Sequence, residues 1–142
     1  MSIFKSMEIS SSGLSVERMR LDTVSSNIAN ASTTKTEDGE VYRKKTVTFK
    51  EKFKNQVDEM GKSSVVSSGV EINKIEESTD EYKIVYEPTH PDADENGFVT
   101  YPNVDLLQEM VDMMSATRAY EANVTAFNAS KSMLLKALEI GR

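Results

Sequence analysis

The chain has no cysteine and no tryptophan. Without cysteine it can form no disulfide, no thiolate metal site and no thiol nucleophile, and it suits any redox compartment. Aromatic residues are few, five Phe and five Tyr, and apolar residues make up 38% of the 142, against roughly 45–50% in an ordinary globular domain. A chain so short of core-forming side chains is expected to be extended or to need partners. No stretch approaches the ~20 apolar residues of a membrane span. Glu8 and the serines at 10, 11 and 12 interrupt any apolar run of signal-peptide type, so if the protein leaves the cytoplasm it is expected to do so without a cleaved signal. Gly-rich phosphate loops, nucleophile elbows and ligand clusters are missing as well.

A basic excess is also missing. Net charge is −6, and residues 61–100 hold nine acids against three bases. An acidic chain without a coherent basic face argues against nucleic acid as a partner. The short run Arg43-Lys44-Lys45 is read as a solvated strand edge, where charge discourages unwanted strand pairing.

What the sequence does have is periodicity. Met7, Leu14, Leu21 and Ile28 recur every seven residues, with Val24 and Ala31 beside them. That spacing predicts a helix from about residue 2 to 31 with one narrow apolar seam. The serines and Gly13 within residues 10–13 are a weak point for such a helix in isolation. From Val104 to about Ile140 the pattern is stronger. Leu106, Met113, Tyr120, Phe127 and Leu134 recur every seven residues, and Met110, Thr117, Val124, Lys131 and Leu138 follow each by four. This is a heptad seam without internal proline or glycine. Asp105, Glu109 and Asp112 near its start and Lys131, Lys136 and Arg142 near its end suit the helix dipole. Leu107, Val111 and Met114 add a second stripe.

Between the helices the period changes to two. Val41, Arg43, Lys45, Val47 and Phe49 alternate with polar neighbours, as do Tyr82, Ile84 and Tyr86, and Val70 and Ile72 form a third run. These predict strands with one buried face, and Asp38-Gly39 and Asn96-Gly97 predict turns. Residues 50–61 have a mixed pattern and are not assigned. The fold class is therefore α+β. Long coiled-coil-type helices in residues 1–34 and 102–142 flank a small β-rich insert, residues 35–101. That insert is too small to cover both seams, so apolar surface is left over for other subunits.

Motifs that could carry chemistry are weak. Asp92-Ala93-Asp94-Glu95-Asn96-Gly97 opens like a calcium loop, but its twelfth position is Asn103, where a bidentate Glu is needed. His90, the sole histidine, lies between Pro88 and Pro91 with no nucleophile marked near it, and is read as a turn residue. Asn30-Ala31-Ser32, Asn123-Val124-Thr125 and Asn128-Ala129-Ser130 match the glycosylation sequon; two fall inside the second helix, and all are read as chance. The methionines Met110, Met113, Met114 and Met133 sit at helical spacing and are read as packing residues. Neither catalytic nor metal or cofactor residues are expected.

Two sets of motifs coincide with the two helices. Ser12-Gly13-Leu14, then Arg18-Met19-Arg20-Leu21-Asp22 and Asn27-Ile28-Ala29-Asn30-Ala31, resemble the N-terminal signature of the flagellar basal-body rod and hook proteins. Gly97-Phe98-Val99, Pro102-Asn103-Val104-Asp105, Glu109-Met110-Val111-Asp112-Met113-Met114 and Arg118-Ala119-Tyr120-Glu121-Ala122-Asn123 resemble their C-terminal signature. The short middle, with Tyr86-Glu87-Pro88-Thr89-His90-Pro91-Asp92-Ala93-Asp94, is similar to the proximal rod members of that family.

The resemblance implies a non-enzymatic structural subunit without cofactors, exported by the flagellar type III apparatus. It implies polymerisation with itself and other rod proteins into a helical tube that spans the periplasm and transmits torque. The inner-membrane ring and export apparatus would be its further partners. Another axial or secretion-rod subunit of a type III system is the alternative. A small hydrolase would need a catalytic constellation beyond His90 and scattered acids. The expected assembly surface is Met7, Leu14, Leu21, Val24 and Ile28 with Asn27 and Asn30, and Leu106, Met110, Met113, Tyr120, Val124, Phe127, Leu134 and Leu138 with Asn123. The asparagines, Asn103 among them, recur in the family signatures and are expected at helix ends or between subunits.

Overall fold

The structure, a computed structural model, describes residues 3–57 and 63–141. Its elements run α1 (Ile3–Ala29), β1 (Lys45–Val57), β2 (Ser63–Glu77), β3 (Lys83–Tyr86), β4 (Phe98–Tyr101) and α2 (Leu106–Ile140). This is the expected α+β arrangement, with a long helix on either side of two small antiparallel sheets, β1–β2 and β3–β4.

The helices lie antiparallel against each other within the chain. Ser6 Oγ is 3.1 Å from Ser130 Oγ, and Asn27 Nδ2 donates to Glu109 Oε2 at 3.0 Å. Between these points a Cβ added to Gly13 would sit 2.9 Å from Asn123 Oδ1. The contact line thus steps by seven along each helix, through small and polar residues. Buried Ser10, Ala116 and Ser130 extend it. Gly13, which weakens α1 in isolation, is what lets α2 approach at this point, and the hydroxyl of Ser12 bonds back to the Ile9 carbonyl at 2.7 Å. The large seam residues Met7, Leu14, Leu21, Ile28, Met113, Tyr120, Phe127 and Leu134 flank this line and are half-buried.

Asp105 caps α2, its carboxylate accepting from the N–H groups of Leu107 and Gln108 at 2.9 and 3.3 Å, as a helix start requires. At the other end Lys136 pairs with Glu139 at 2.7 Å. The last turn has no basic residue among those described, and Arg142 lies outside them.

Sequence periodicity missed the length of the first hairpin. β1 starts at Lys45, later than the alternation from Val41 suggests, and continues to Val57 opposite β2, with irregularities at Thr48/Phe49 and Glu51/Phe53. It runs back along α1 and is fastened to it at three points. The Lys45 backbone bonds Asn27, Val70 N–H donates to Ser12 Oγ at 3.1 Å, and Lys54 and Ser68 both reach Glu8. Gly69 lies at the second irregularity with φ +107°, and a Cβ there would collide with Ser12 Oγ. Gly69→Ala should therefore lift the hairpin off α1. The backbone strain alone costs about 1–3 kcal/mol, enough to lower hydrogen-exchange protection in β2 by roughly tenfold or more while α2 keeps its own. A Ser12→Gly background should recover part of it. Unchanged β2 exchange in Gly69→Ala would contradict this docking.

In the second hairpin the inward face is the opposite of the expected one. Ile84 and Tyr86 are exposed, and Val85 pairs with fully buried Val99. The reason is that β3 pairs with β4 alone, so the Tyr86 and Phe98 rings meet edge-on at 5.3 Å on the open side. The loop between them is the acidic turn. Asp94 Oδ1 accepts from Asn96 and Phe98 N–H, Gly97 takes φ +81°, and His90 Nδ1 accepts from Asp92 N–H at 3.1 Å. Gly39, at the other expected turn, has φ +83°.

Buried apolar residues among those described are Val16, Val24, Tyr42, Val99 and Ala116. The accessible surface is 10271 Å², whereas a compact monomer of this mass exposes about 7,300 Å². The chain is elongated, and much of its surface has no cover of its own.

Candidate assembly surface

At the junction of α1, β1 and α2 lies a buried polar node. Asn27 and Glu109 are each 1% exposed. The Asn27 amide donates to the Lys45 carbonyl at 2.8 Å and to Glu109 at 3.0 Å, and its oxygen accepts from Lys45 N–H at 2.9 Å and the Tyr42 hydroxyl at 3.0 Å. All four of its hydrogen-bonding positions are filled. Lys44 Nζ supplies the counter-charge to Glu109 at 2.7 Å. A buried carboxylate needs such pairing, and its place in the first turn of α2 adds the helix dipole. A cleft of about 360 Å³ opens beside the node, with Arg20, Asp112 and Phe49 on its wall.

The basic run is therefore not a solvated strand edge. Arg43 stacks 4.6 Å over the Tyr82 ring and donates to the Ser78 carbonyl, Lys44 neutralises Glu109, and Lys45 is fixed through its backbone. No local pattern could have shown this, because Glu109 lies 65 residues from Lys44 in sequence.

Hydrogen bonds also shift individual groups. Lys54 and then Ser68 hold the Glu8 carboxyl below its ordinary value. The Thr34 hydroxyl, 2.7 Å away, does the same for Asp92, helped by Lys35, and so ties the 86–97 turn to the end of α1. Burial, with Glu87 beside it, raises the Tyr101 hydroxyl. Asn30 closes α1 through the Ser26 carbonyl and the Thr33 hydroxyl, and Asn123 donates to the Ala119 carbonyl.

The residues expected to meet other subunits divide into two groups. Asn27 and Val24 are buried, and the flanking seam residues, with Val124, Asn30 and Asn123, are half-buried. Leu106, Met110 and Leu138 stay exposed. They do not stand alone. Leu107 (75% exposed), Val111 and Met114 join the first two near the start of α2, and Met133, Leu135 and Ile140 (86%) join Leu138 near its end. On the hairpin, Phe53, Val65, Val70 and Ile75 are exposed as well. The Leu107, Val111 and Met114 stripe was visible as a second periodicity, whereas the hairpin face was not.

Two family models match the chain. One, described as flagella basal body rod protein, covers residues 7–35, and the other, flagellar basal body rod FlgEFG protein C-terminal, covers residues 95–140. These are the two helices, the second with the β4 strand before it. The chain is 47% identical to the flagellar basal-body rod protein FlgC of Bacillus subtilis over the full length of both. The chain belongs to the FlgC family of flagellar basal-body rod proteins. It is also 42% identical to FlgC of Borreliella burgdorferi, over 99% of this chain and 98% of that one, and 41% identical to FlgC of Salmonella typhimurium over the whole of both. The match to the FlgC relatives covers the hairpins as well as the helices, so the node and the exposed apolar residues of α2 lie inside the shared length. Among the described residues, no helix is long and apolar enough to cross a membrane.

Proposed function

We propose that this chain is a structural subunit of the flagellar basal-body rod and polymerises, with itself and other rod proteins, through its terminal helices. The observation that carries the reading is the exposed apolar stripe near the start of α2, with further exposed apolar residues around its end, in a member of a rod protein family. The two sets of residues differ in composition, so a contact between them is head-to-tail, the kind that builds open helical assemblies where its rotation does not close a ring. The half-buried seam residues hold the α1–α2 pair that presents the stripe. Their outer edges, with Leu106, Met110 and Leu138, meet neighbouring subunits.

In this role the chain performs no reaction. It leaves the cytoplasm uncleaved through the flagellar export apparatus, meets the inner-membrane ring, and carries torque through the periplasm as part of a helical tube. Deleting the gene from its own host should abolish hooks, filaments and swimming, and a plasmid copy should restore them. A deletion strain that swims normally would overturn the proposal.

A further inference from the structure

A heptad seam has a defect as a specification. The large residues of α1 (7, 14, 21, 28) and of α2 (113, 120, 127, 134) both repeat every seven positions, so a slip of one heptad brings equivalent apolar residues together again. Something else must choose the register. The contact line between the helices is made of unlike, non-interchangeable residues: Ser6 against Ser130, Gly13 against Asn123, Asn27 against Glu109. A slip by seven in one direction places Asn27 against Ala116 and Arg20 against Asn123. In the other direction it places Arg20 against Glu109, Gly13 against Ala116 and Ser6 against Asn123, which the small residues tolerate. What that second slip loses is the node. Asn27 leaves Glu109, and Glu109 leaves Lys44.

We infer that the Asn27–Glu109–Lys44 node is a register lock for the helix pair and thereby sets how far α2 projects beyond α1. In the native register Ser6 stands opposite Ser130, so the last turns of α2, with exposed Leu135, Leu138 and Ile140, extend past the point opposite the first described turn of α1. A one-heptad slip would move that apolar end by about 10 Å and spoil its fit to a neighbouring subunit. The last consequence rests on the assembly reading above; the lock itself does not. Lys44 and the Lys45 backbone bring the β1 strand into the same node, so helix register and hairpin position are fixed together.

The absence of native cysteine makes the register directly measurable on the purified full-length chain. Ser6→Cys with Ser130→Cys reports the native register, since the two hydroxyl oxygens are 3.1 Å apart, and Ser6→Cys with Asn123→Cys reports the slipped one. In the otherwise native chain the first pair should cross-link and the second should not, a preference on the order of tenfold or more, because Arg20 opposite Glu109 would replace the charge of Lys44 but not the bond from Asn27. Adding Asn27→Leu and Glu109→Leu, which keep the site apolar and filled, should let both pairs cross-link to comparable yield with helicity retained.

A folded leucine variant that cross-links only in the native register would overturn the lock. If that variant loses its helicity, Glu109→Gln serves in its place: it keeps the shape and the Asn27 contact and should give intermediate slipped product. Unfolding of both variants would make the node a stability element and equally overturn the proposal. None of these readouts involves rod assembly, so they stand or fall apart from the gene-deletion test.

Discussion

Asn27→Ala is expected to remove about 3 kcal/mol from the unfolding free energy of the isolated chain. The substitution strips partners from the Lys45 N–H and carbonyl, the Tyr42 hydroxyl and Glu109 at once. The Tyr42 hydroxyl keeps Ser26 and Glu109 keeps Lys44, so the Lys45 N–H and carbonyl are the groups left without a bond, each at a cost of about 1–3 kcal/mol in a buried site. Water entering from the adjacent cleft repairs part of that, which keeps the expected total near the lower end of the sum. Against a total stability of about 5–15 kcal/mol for a typical domain, and with so thin an apolar core, this is a large fraction. Asn30→Ala is the control, because among the described residues that side chain bonds locally, to Ser26 and Thr33, and should cost about 1 kcal/mol or less. Urea titration followed by helical circular dichroism separates the two. Equal midpoints for Asn27→Ala and Asn30→Ala would mean that the node does not hold the junction.

The difference between these two asparagines also marks where sequence reading stops. Both belong to the same short motif, and the family resemblance treats them alike. Only the fold distinguishes the one that closes a helix from the one that joins three elements. Glu109 was legible as an acid in the first turns of a helix, which is a local property, but its burial against Lys44 and Asn27 is not. The long helix α2 was readable almost to its ends because its pattern is local and uninterrupted. Residues 50–57 were not readable as strand, because Glu51, Lys52, Lys54 and Asn55 leave no clean alternation on a ribbon covered on one side by a single helix. The inward face of β3 was misjudged for a related reason: alternation tells which residues share a face, and only the partner decides which face is buried. On the apolar faces of the helices, periodicity found the seam and noted the second stripe. It could not tell that the chain spends much of the seam on its own helix pair and leaves the stripe open.

That division leads to the second large effect. Leu107 and Val111 are one turn apart on α2, exposed, and neither bears on the node or on the contact line between the helices. Leu107→Asp with Val111→Asp should therefore leave the monomer within about 0.5 kcal/mol per substitution of its original stability, as exposed positions usually do. In an assembly the same two carboxylates would be buried in an apolar contact without partners, at a cost of several kcal/mol each. That is enough to prevent polymerisation at any reasonable concentration of subunits.

The decisive measurement is swimming, with hook and filament counts by electron microscopy, in the deletion strain carrying this double variant. It requires the purified variant to show the unaltered urea midpoint. The account predicts a folded, stable protein and cells without hooks, filaments or motility. Wild-type swimming by those cells would show that the exposed stripe of α2 is not the surface through which the subunit assembles.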